Sequence, residues 1–358
     1  MSVFLGFILV FIITGYIIFR TINYCKVKEL LNVKIFSGKN YIIDKTIIMC
    51  DDNKTISSDV RKVVEVKNKE AEKLVNGMIL FEKYEIIKQI GSGSMGKVYI
   101  VKNIKLGNIW ALKVVNYYDN AGLFREEGIL RKINYISIPK IVDVYYEDDN
   151  VYIIEDYIEG ISLDKLIAIN GNFSQKQIID WAIELCEILE YLHEMEPYPI
   201  IYRDLKPSNI IVTNYNKLVI IDFGISKYKL DNKMDFVPSG TRKYAPIEQF
   251  SDARITDEKT DIYSLGIILC ECILGYIPIS DDDIKKMLKF VDLELVLIII
   301  KAINPNRNDR YGCAVNIKKD LANLKNLSLI KYKRKIIFKI MTIMVFVAIL
   351  LLVWEMIM

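Results

Sequence analysis

The sequence predicts an α+β fold in two lobes, a β-rich N-lobe followed by an α-rich C-lobe, with a transmembrane helix at each end. Three observations carry this expectation. Strand-like apolar stretches separated by turns fill residues 84–156. Helix-like apolar periodicity dominates beyond Ser162, and a β-rich part followed by an α-rich part is the order of an α+β domain. Uncharged or nearly uncharged apolar runs lie at both termini, each long enough to cross a hydrocarbon core.

The N-terminal run covers residues 3–19 and holds no charged side chain. No basic residue precedes it and no small-residue cleavage site follows, so residues 1–20 are expected to be an uncleaved anchor rather than a signal peptide. The C-terminal run, within 336–357, is apolar apart from Lys339, whose ammonium can snorkel to the interface. Arg20, Lys26 and Lys28 follow the first run, and Lys331, Lys333, Arg334 and Lys335 precede the second, within a basic segment 326–335. The positive-inside rule then places both inner flanks, and the domain between them, in the cytoplasm at a bilayer. Two anchors per chain confine the protein to a plane, which favours a homodimer.

Composition narrows the function. The 358 residues carry 48 Lys and Arg against 45 Asp and Glu, a net charge of +3. With no basic stripe interleaved with aromatics, no nucleic-acid partner is expected. Six cysteines, at 25, 50, 186, 270, 272 and 313, form no metal-ligand spacing and read as reduced thiols. A single histidine, His193, excludes a His-rich metal site and disfavours a histidine-based triad.

Residues 21–80 read as a juxtamembrane linker, charge-rich over 51–73. The main domain is expected over 81–325. Strand signals at 84–90 and 98–102 flank a glycine turn, and 110–115, 141–146 and 151–156 follow, with a helical stretch at 123–133. Helices are expected at 163–169, 176–193, 260–274 and 284–290. The apolar runs at 262–279 and 293–303 carry or adjoin Glu271, Glu294 and Lys301, and read as buried core helices rather than membrane spans.

Three strings bear the chemistry. The first is Gly91-Ser-Gly93-Ser-Met-Gly96-Lys-Val98. Glycines without Cβ atoms let a turn lay backbone N–H groups over polyphosphate. A dinucleotide-binding turn would need a helix directly after its last glycine; residues 97–101 read as a strand, so a lid over a nucleotide is preferred. Lys113, on the apolar strand 110–115, needs an anionic partner and can serve the α- and β-phosphates. Glu126 and Glu127 are both candidates to hold it, and spacing to Ile129 and Leu130 favours Glu126. The second string is Tyr202-Arg203-Asp204-Leu-Lys206-Pro-Ser-Asn209, in which Asp204 would accept or orient a hydroxyl proton and Lys206 would neutralise charge on the phosphate in transfer. The third is Asp222-Phe223-Gly224. Apolar residues 210–212 and 218–221 flank Asn214-Tyr-Asn216 as a hairpin would, which brings Asn209 and Asp222 to one end of a sheet, where both reach one Mg²⁺.

With these residues the chain resembles the eukaryotic-type serine/threonine protein kinases, in particular the membrane-anchored bacterial branch. The resemblance covers about residues 80–325 and implies that family's two-lobed fold, use of ATP and Mg²⁺, and transfer to Ser/Thr of protein substrates. It implies nucleotide contacts at Ile90, Gly91, Gly93, Gly96, Val98, Ala111 and Lys113, and a hinge at Asp156 to Ile158. Gly240-Thr241-Arg-Lys-Tyr244-Ala-Pro-Ile-Glu248 resembles the substrate-side loop, residues 261–266 the start of the central buried helix, and Asn308-Asp-Arg310 the segment whose arginine pairs with Glu248. Departures are Tyr202 in place of the usual histidine, Ser94 where glycine is common, Ile247 between Pro246 and Glu248, and a carboxylate, Glu155, where the back of the adenine pocket falls. Between Asp222 and Glu248 the Ser/Thr hydroxyls are Ser226, Ser239 and Thr241; Ser239 and Thr241 are candidates for autophosphorylation, and Thr241 alternatively for positioning substrate. The competing expectation is a pseudokinase acting as a nucleotide-sensing scaffold, against which the intact Lys113, Asp204, Asn209 and Asp222 weigh.

Overall fold

Alternating apolar residues over the first half of the domain build one antiparallel sheet. The computed structural model describes residues 74–93, 96–116, 128–224, 226–228, 241–250, 256–327, 336–337 and 340–344. Its strands are β1 (Ile79–Leu80), β2 (Tyr84–Gly93), β3 (Gly96–Asn103), β4 (Ile109–Asn116), β5 (Ile141–Glu147) and β6 (Asn150–Asp156), in the order β1-β2-β3-β4-β6-β5. The short β1 pairs Ile79 with Glu85 and Leu80 with Tyr84, so the sheet begins inside the span read as linker. Leu74 and Met78 pack against the sheet's outer cluster, which explains the earlier start.

The pleat gives the sheet two different faces. Tyr84, Ile86, Tyr99, Val101, Leu112, Tyr152 and Ile154 form the outer apolar cluster. On that side Asp143 accepts from Lys83 at 2.6 Å and from the Tyr84 hydroxyl, tying β2 to β5. The opposite face carries Ala111, Lys113 and Val115 of β4.

The second half of the domain is helical around a buried axis. It contains β7 (Gly160–Ser162), α1 (Leu163–Asn170), α2 (Gln175–His193), β8 (Ile200–Ile201), β9 (Ile210–Thr213), β10 (Leu218–Ile220), β11 (Lys227–Tyr228), α3 (Glu258–Leu274), α4 (Asp281–Lys286) and α5 (Leu293–Ala302). Residues 314–327 form a further helix, α6. The hairpin expected around Asn214–Asn216 is β9–β10, with Asn216 at φ 57° in its turn and β7 added beyond β9. The helix expected over 284–290 starts earlier, at Asp281, because Ser280 caps it, and its end tightens into a 3₁₀ turn at Met287–Lys289.

α3 lies at the centre of this lobe. Asp257 and Thr260 form its capping box, and its residues from Thr260 to Cys270 are all buried. The apolar run is thus core from Ile262 to Ile273, as is most of α5, whereas Tyr276 and Ile279 beyond the helix are exposed. Cys186, Cys270 and Cys272 are buried free thiols, and burial pushes each well above the ordinary thiol range. Among the described residues no helix is long and apolar enough to cross a membrane. Residues 1–20, with the first expected anchor, and almost all of 21–80 lie outside the described residues; of the second expected anchor only residues 336–337 and 340–344 are described, as exposed helical turns.

α3 ends at Gly275, which has φ +80°. A Cβ there would stand 2.4 Å from the Gly171 carbonyl oxygen, where α1 ends. Gly275→Ala is therefore expected to destabilise the domain by about 1–3 kcal/mol, from positive φ and overpacking together. Thermal unfolding checks this; a melting point equal to the wild type would contradict the close approach.

Candidate active site

The catalytic-loop string folds as it does because its backbone is pinned from two sides. Arg203 has φ 71°, a left-handed conformation costing a non-glycine residue about 1 kcal/mol. Its N–H donates to Asp261 Oδ1 at 2.7 Å and its carbonyl accepts from Gln249 Nε2 at 3.0 Å. The Tyr202 N–H donates to Asp261 Oδ2 at 2.9 Å, and His193 Nε2 lies 2.8 Å from the same oxygen. All these groups are buried, so one carboxylate at the start of α3 fixes where Asp204 points.

Asp204 has both oxygens engaged. Lys206 Nζ donates to Oδ2 at 2.6 Å and to Thr241 Oγ1 at 3.1 Å. Thr241 donates to Oδ1 through its hydroxyl at 2.9 Å and its N–H at 3.2 Å. Asn209 Nδ2 lies 3.1 Å from both Asp204 Oδ2 and the Asp204 carbonyl oxygen. With its nitrogen turned to Asp204, Asn209 presents its amide oxygen as a cation ligand.

Asp222 comes to the same end of the hairpin, because the Ile221 N–H donates to the Asn209 carbonyl at 2.9 Å. It too has positive φ, 69°. Lys113 Nζ reaches across from β4 and donates to Asp222 Oδ1 at 2.8 Å. Burial pushes the Asp222 carboxyl up; the Lys113 ammonium more than offsets this, with help from the Gly224 N–H and Lys206, so the group lies below the ordinary carboxylate range. Oδ2 of Asp222 and the amide oxygen of Asn209 fit a hard cation that takes oxygen ligands and completes its shell with phosphate and water.

The glycine turn covers this cleft at the ends of β2 and β3, where Gly93 pairs with Gly96 and Val98 pairs with Lys113. Gly96 has φ 116°, and a Cβ on it would meet the Val114 carbonyl oxygen at 2.2 Å, so only glycine fits. Gly91 pairs with Val98, and the register shifts between Gln89 and Gly91 leave Ile90 in an exposed irregularity. Ala111 is buried on the Lys113 face. Asp156 ends β6 at the hinge, where its Oδ2 accepts from the Lys140 N–H at 3.0 Å, and Ile158 lies in the connection to β7. Glu126, Glu127 and Ser239 lie outside the described residues.

Tyr202 fills the position of the family's histidine with packing and a hydrogen bond. Its ring meets Phe223 edge-on at 5.0 Å, and its hydroxyl donates to the Ile221 carbonyl at 2.5 Å. Burial holds its phenol well above the ordinary range, so it stays a neutral donor. Arg310 pairs with Glu248 through two nitrogens, at 2.5 and 3.2 Å, as its motif implies. Ser226 is buried and donates to the Tyr202 carbonyl at 3.0 Å, which makes it a structural hydroxyl.

Sequence reasoning placed Asp261 at the start of a buried helix but missed that it holds the catalytic loop. It also missed Gln249 and His193. The available signal was composition: the chain's single histidine is the last residue of α2.

A twisted sheet closing over a helical lobe, with a glycine turn, a buried lysine and two aspartates facing one cleft, defines the protein-kinase class of phosphotransfer fold. The protein kinase domain model matches residues 84–333, and the chain belongs to that family. Its relatives include eukaryotic-type bacterial serine/threonine kinases. A probable serine/threonine-protein kinase of Clostridium acetobutylicum is 30% identical over 273 residues, covering 70% of this chain and 41% of the relative. The serine/threonine-protein kinase PrkC of Bacillus subtilis is 28% identical over 275 residues, covering 70% and 42%. PknB of Mycolicibacterium smegmatis is 26% identical over 271 residues, covering 68% and 43%. The chain thus spans about two fifths of the length of these bacterial relatives.

Proposed function

We propose that this chain is a membrane-anchored serine/threonine protein kinase that transfers the γ-phosphate of ATP to Ser/Thr hydroxyls of cytoplasmic proteins. The observation that carries this reading is the bracketing of Asp204 by Lys206, Thr241 and Asn209, at the same hairpin end where Asp222 meets Lys113. In the transfer, Asp204 orients the acceptor hydroxyl and accepts its proton. Lys206, beside it, offsets charge developing on the phosphate, and Lys113 holds the α- and β-phosphates once they displace Asp222 from it. Bound Mg²⁺ would supply charge neutralisation between phosphate oxygens, with Asn209 and Asp222 as the protein's ligands. Most of the gain comes from positioning and electrostatics rather than covalent chemistry.

The apolar runs at residues 3–19 and 336–354, with basic inner flanks, support tethering to a bacterial plasma membrane with the kinase domain on the cytoplasmic side. Transfer of label from γ-labelled ATP with Mg²⁺ to a generic basic protein by the full chain tests the activity. Lys113→Met is expected to abolish that transfer, and retention of the wild-type chain in alkali-washed membranes tests the anchors. Label at wild-type level in the Lys113 variant would overturn the assignment.

Thr241 supports the positioning alternative over autophosphorylation, since its hydroxyl is already held between Asp204 and Lys206. Thr241→Ala is expected to lower kcat by about tenfold or more while KM for ATP moves little, and Thr241→Ser to restore most of it. Phosphate found on Thr241 in an active preparation would contradict this role.

A further inference from the structure

α6 and the turn between β9 and β10 leave the helical lobe at the same end. Lys318 of α6 pairs with Glu190 of α2, and Lys325 pairs with Asp180 at 2.7 Å. The two helices are therefore antiparallel, and α6 runs toward the N-terminal end of α2. The turn packs on that end too. Asn216 Oδ1 accepts from Trp181 Nε1 at 3.2 Å and from Gln177 Nε2 at 3.4 Å, and the Leu218 N–H donates to Glu184 at 3.1 Å. Positions 177, 180, 181 and 184 share one side of α2, so the turn and the end of α6 flank it about one helix diameter, 10–12 Å, apart.

What the turn exposes suits a lipid surface. Tyr215 at its tip is 89% exposed, and among the described residues it makes no hydrogen bond or ring contact. The side chain of Lys217 is 71% exposed and lies 3.9 Å from Glu184. Lys176, in the first turn of α2, is exposed as well. The carboxylates at this end are engaged, Asp180 by Lys325 and Glu184 by the Leu218 N–H. A tyrosine, with an apolar ring and a polar tip, settles at the headgroup level of a bilayer, and lysines beside it meet anionic headgroups.

Chain length brings such a surface within reach. Ile336, where the second apolar run begins, follows Leu327, the end of α6, after a span that holds Lys331, Lys333, Arg334 and Lys335. That span covers about 30 Å if extended and about 14 Å if helical. A domain tethered there rests with this end against the membrane.

We propose that the β9–β10 turn, through Tyr215 and Lys217, contacts anionic headgroups of the bilayer that holds the C-terminal run. The contact rests on the anchoring proposed above. It also sets where the cleft faces. Asn209 and Asp222 lie at the other end of the hairpin, about 14 Å along β9 from the turn. The acceptor site thus stays open to cytoplasmic proteins while the domain is docked.

The test uses the full chain reconstituted in vesicles of phosphatidylcholine and phosphatidylserine that include lipid with a nitroxide on its headgroup. An environment-sensitive fluorescent amino acid replaces either Asn214, exposed beside Tyr215, or Ile136. Ile136 is 94% exposed next to Tyr135, which stacks on Tyr191 at the other end of α2. The levels of Tyr191 and Gln177 are about 21 Å apart along the helix. Quenching at 214 is expected to exceed that at 136 at least twofold. Tyr215→Ser combined with Lys217→Glu is expected to bring 214 down to the level of 136. Equal quenching at the two positions, in vesicles that retain the chain through an alkali wash, overturns the contact and leaves the anchoring reading standing. A double variant quenched as fully as the wild type overturns the part given to Tyr215 and Lys217. A wild-type chain lost in the wash overturns the anchoring reading and the contact with it.

Discussion

Asp204→Asn is expected to lose about 10²- to 10⁴-fold in kcat, the usual worth of a positioned general base, while ATP binds as before. The two consequences separate because of what Asp204 touches. Its neighbours are Lys206, Thr241 and Asn209, the groups proposed to surround the acceptor hydroxyl, whereas Lys113 and the glycine turn are the parts proposed to hold the nucleotide. The amide is isosteric, so packing survives. It replaces an acceptor oxygen with a donor, which opposes either Lys206 on Oδ2 or Thr241 on Oδ1. Steady-state kinetics with a displacement measurement of ATP affinity check both halves. A variant that keeps more than a tenth of wild-type kcat would contradict the role of Asp204.

Asp261→Asn is expected to have the largest effect on stability, and to lower kcat in whatever protein remains folded. Asp261 accepts from two backbone N–H groups and lies against His193, all in a buried site. An asparagine can satisfy one of those N–H groups through its oxygen, but it presents a donor where the carboxylate accepted. Leaving a buried donor unpaired costs about 1–3 kcal/mol, and disrupting a buried charged network about 3–5 kcal/mol. In a domain of this size that is a fall in melting temperature of roughly 6–20 °C. The positive φ of Arg203 would lose one of its two pins, leaving the Gln249 contact. Thermal unfolding and kcat are the readouts; wild-type values of both would show that the loop is held by other contacts.

Much of the fold and site was legible because local chemistry and global architecture agree in this chain. Strand alternation placed β2 to β6 to within three residues, and the hairpin between β9 and β10 followed from Asn214-Tyr-Asn216 between apolar runs. That Lys113, Asp204, Asn209 and Asp222 would meet in one cleft was legible because phosphate binding, proton transfer and cation ligation would each demand particular residue types at fixed spacing. What stayed hidden depends on distant pairing. Nothing within residues 193–204 indicates that Asp261, 58 residues beyond Arg203, holds that backbone. Likewise β1 is two residues long and has no periodicity to read; only its pairing with Tyr84 and Glu85 defines it. That Glu155 shares a face with Lys113 required the register of β4 against β6, which a one-residue slip would have reversed.

The most direct test of the central claim is single-turnover transfer from labelled ATP in a sample of the full chain whose ATP-binding stoichiometry is measured alongside, with Mg²⁺ and a lipid bilayer present. The cleft geometry predicts that bound ATP is consumed with phosphate appearing on Ser/Thr of the acceptor or of the chain itself, and that Asp204→Asn binds ATP without this transfer. ATP bound at about one per chain, with no phosphate on any Ser/Thr in bilayer or detergent, would contradict catalysis and identify a nucleotide-binding scaffold instead.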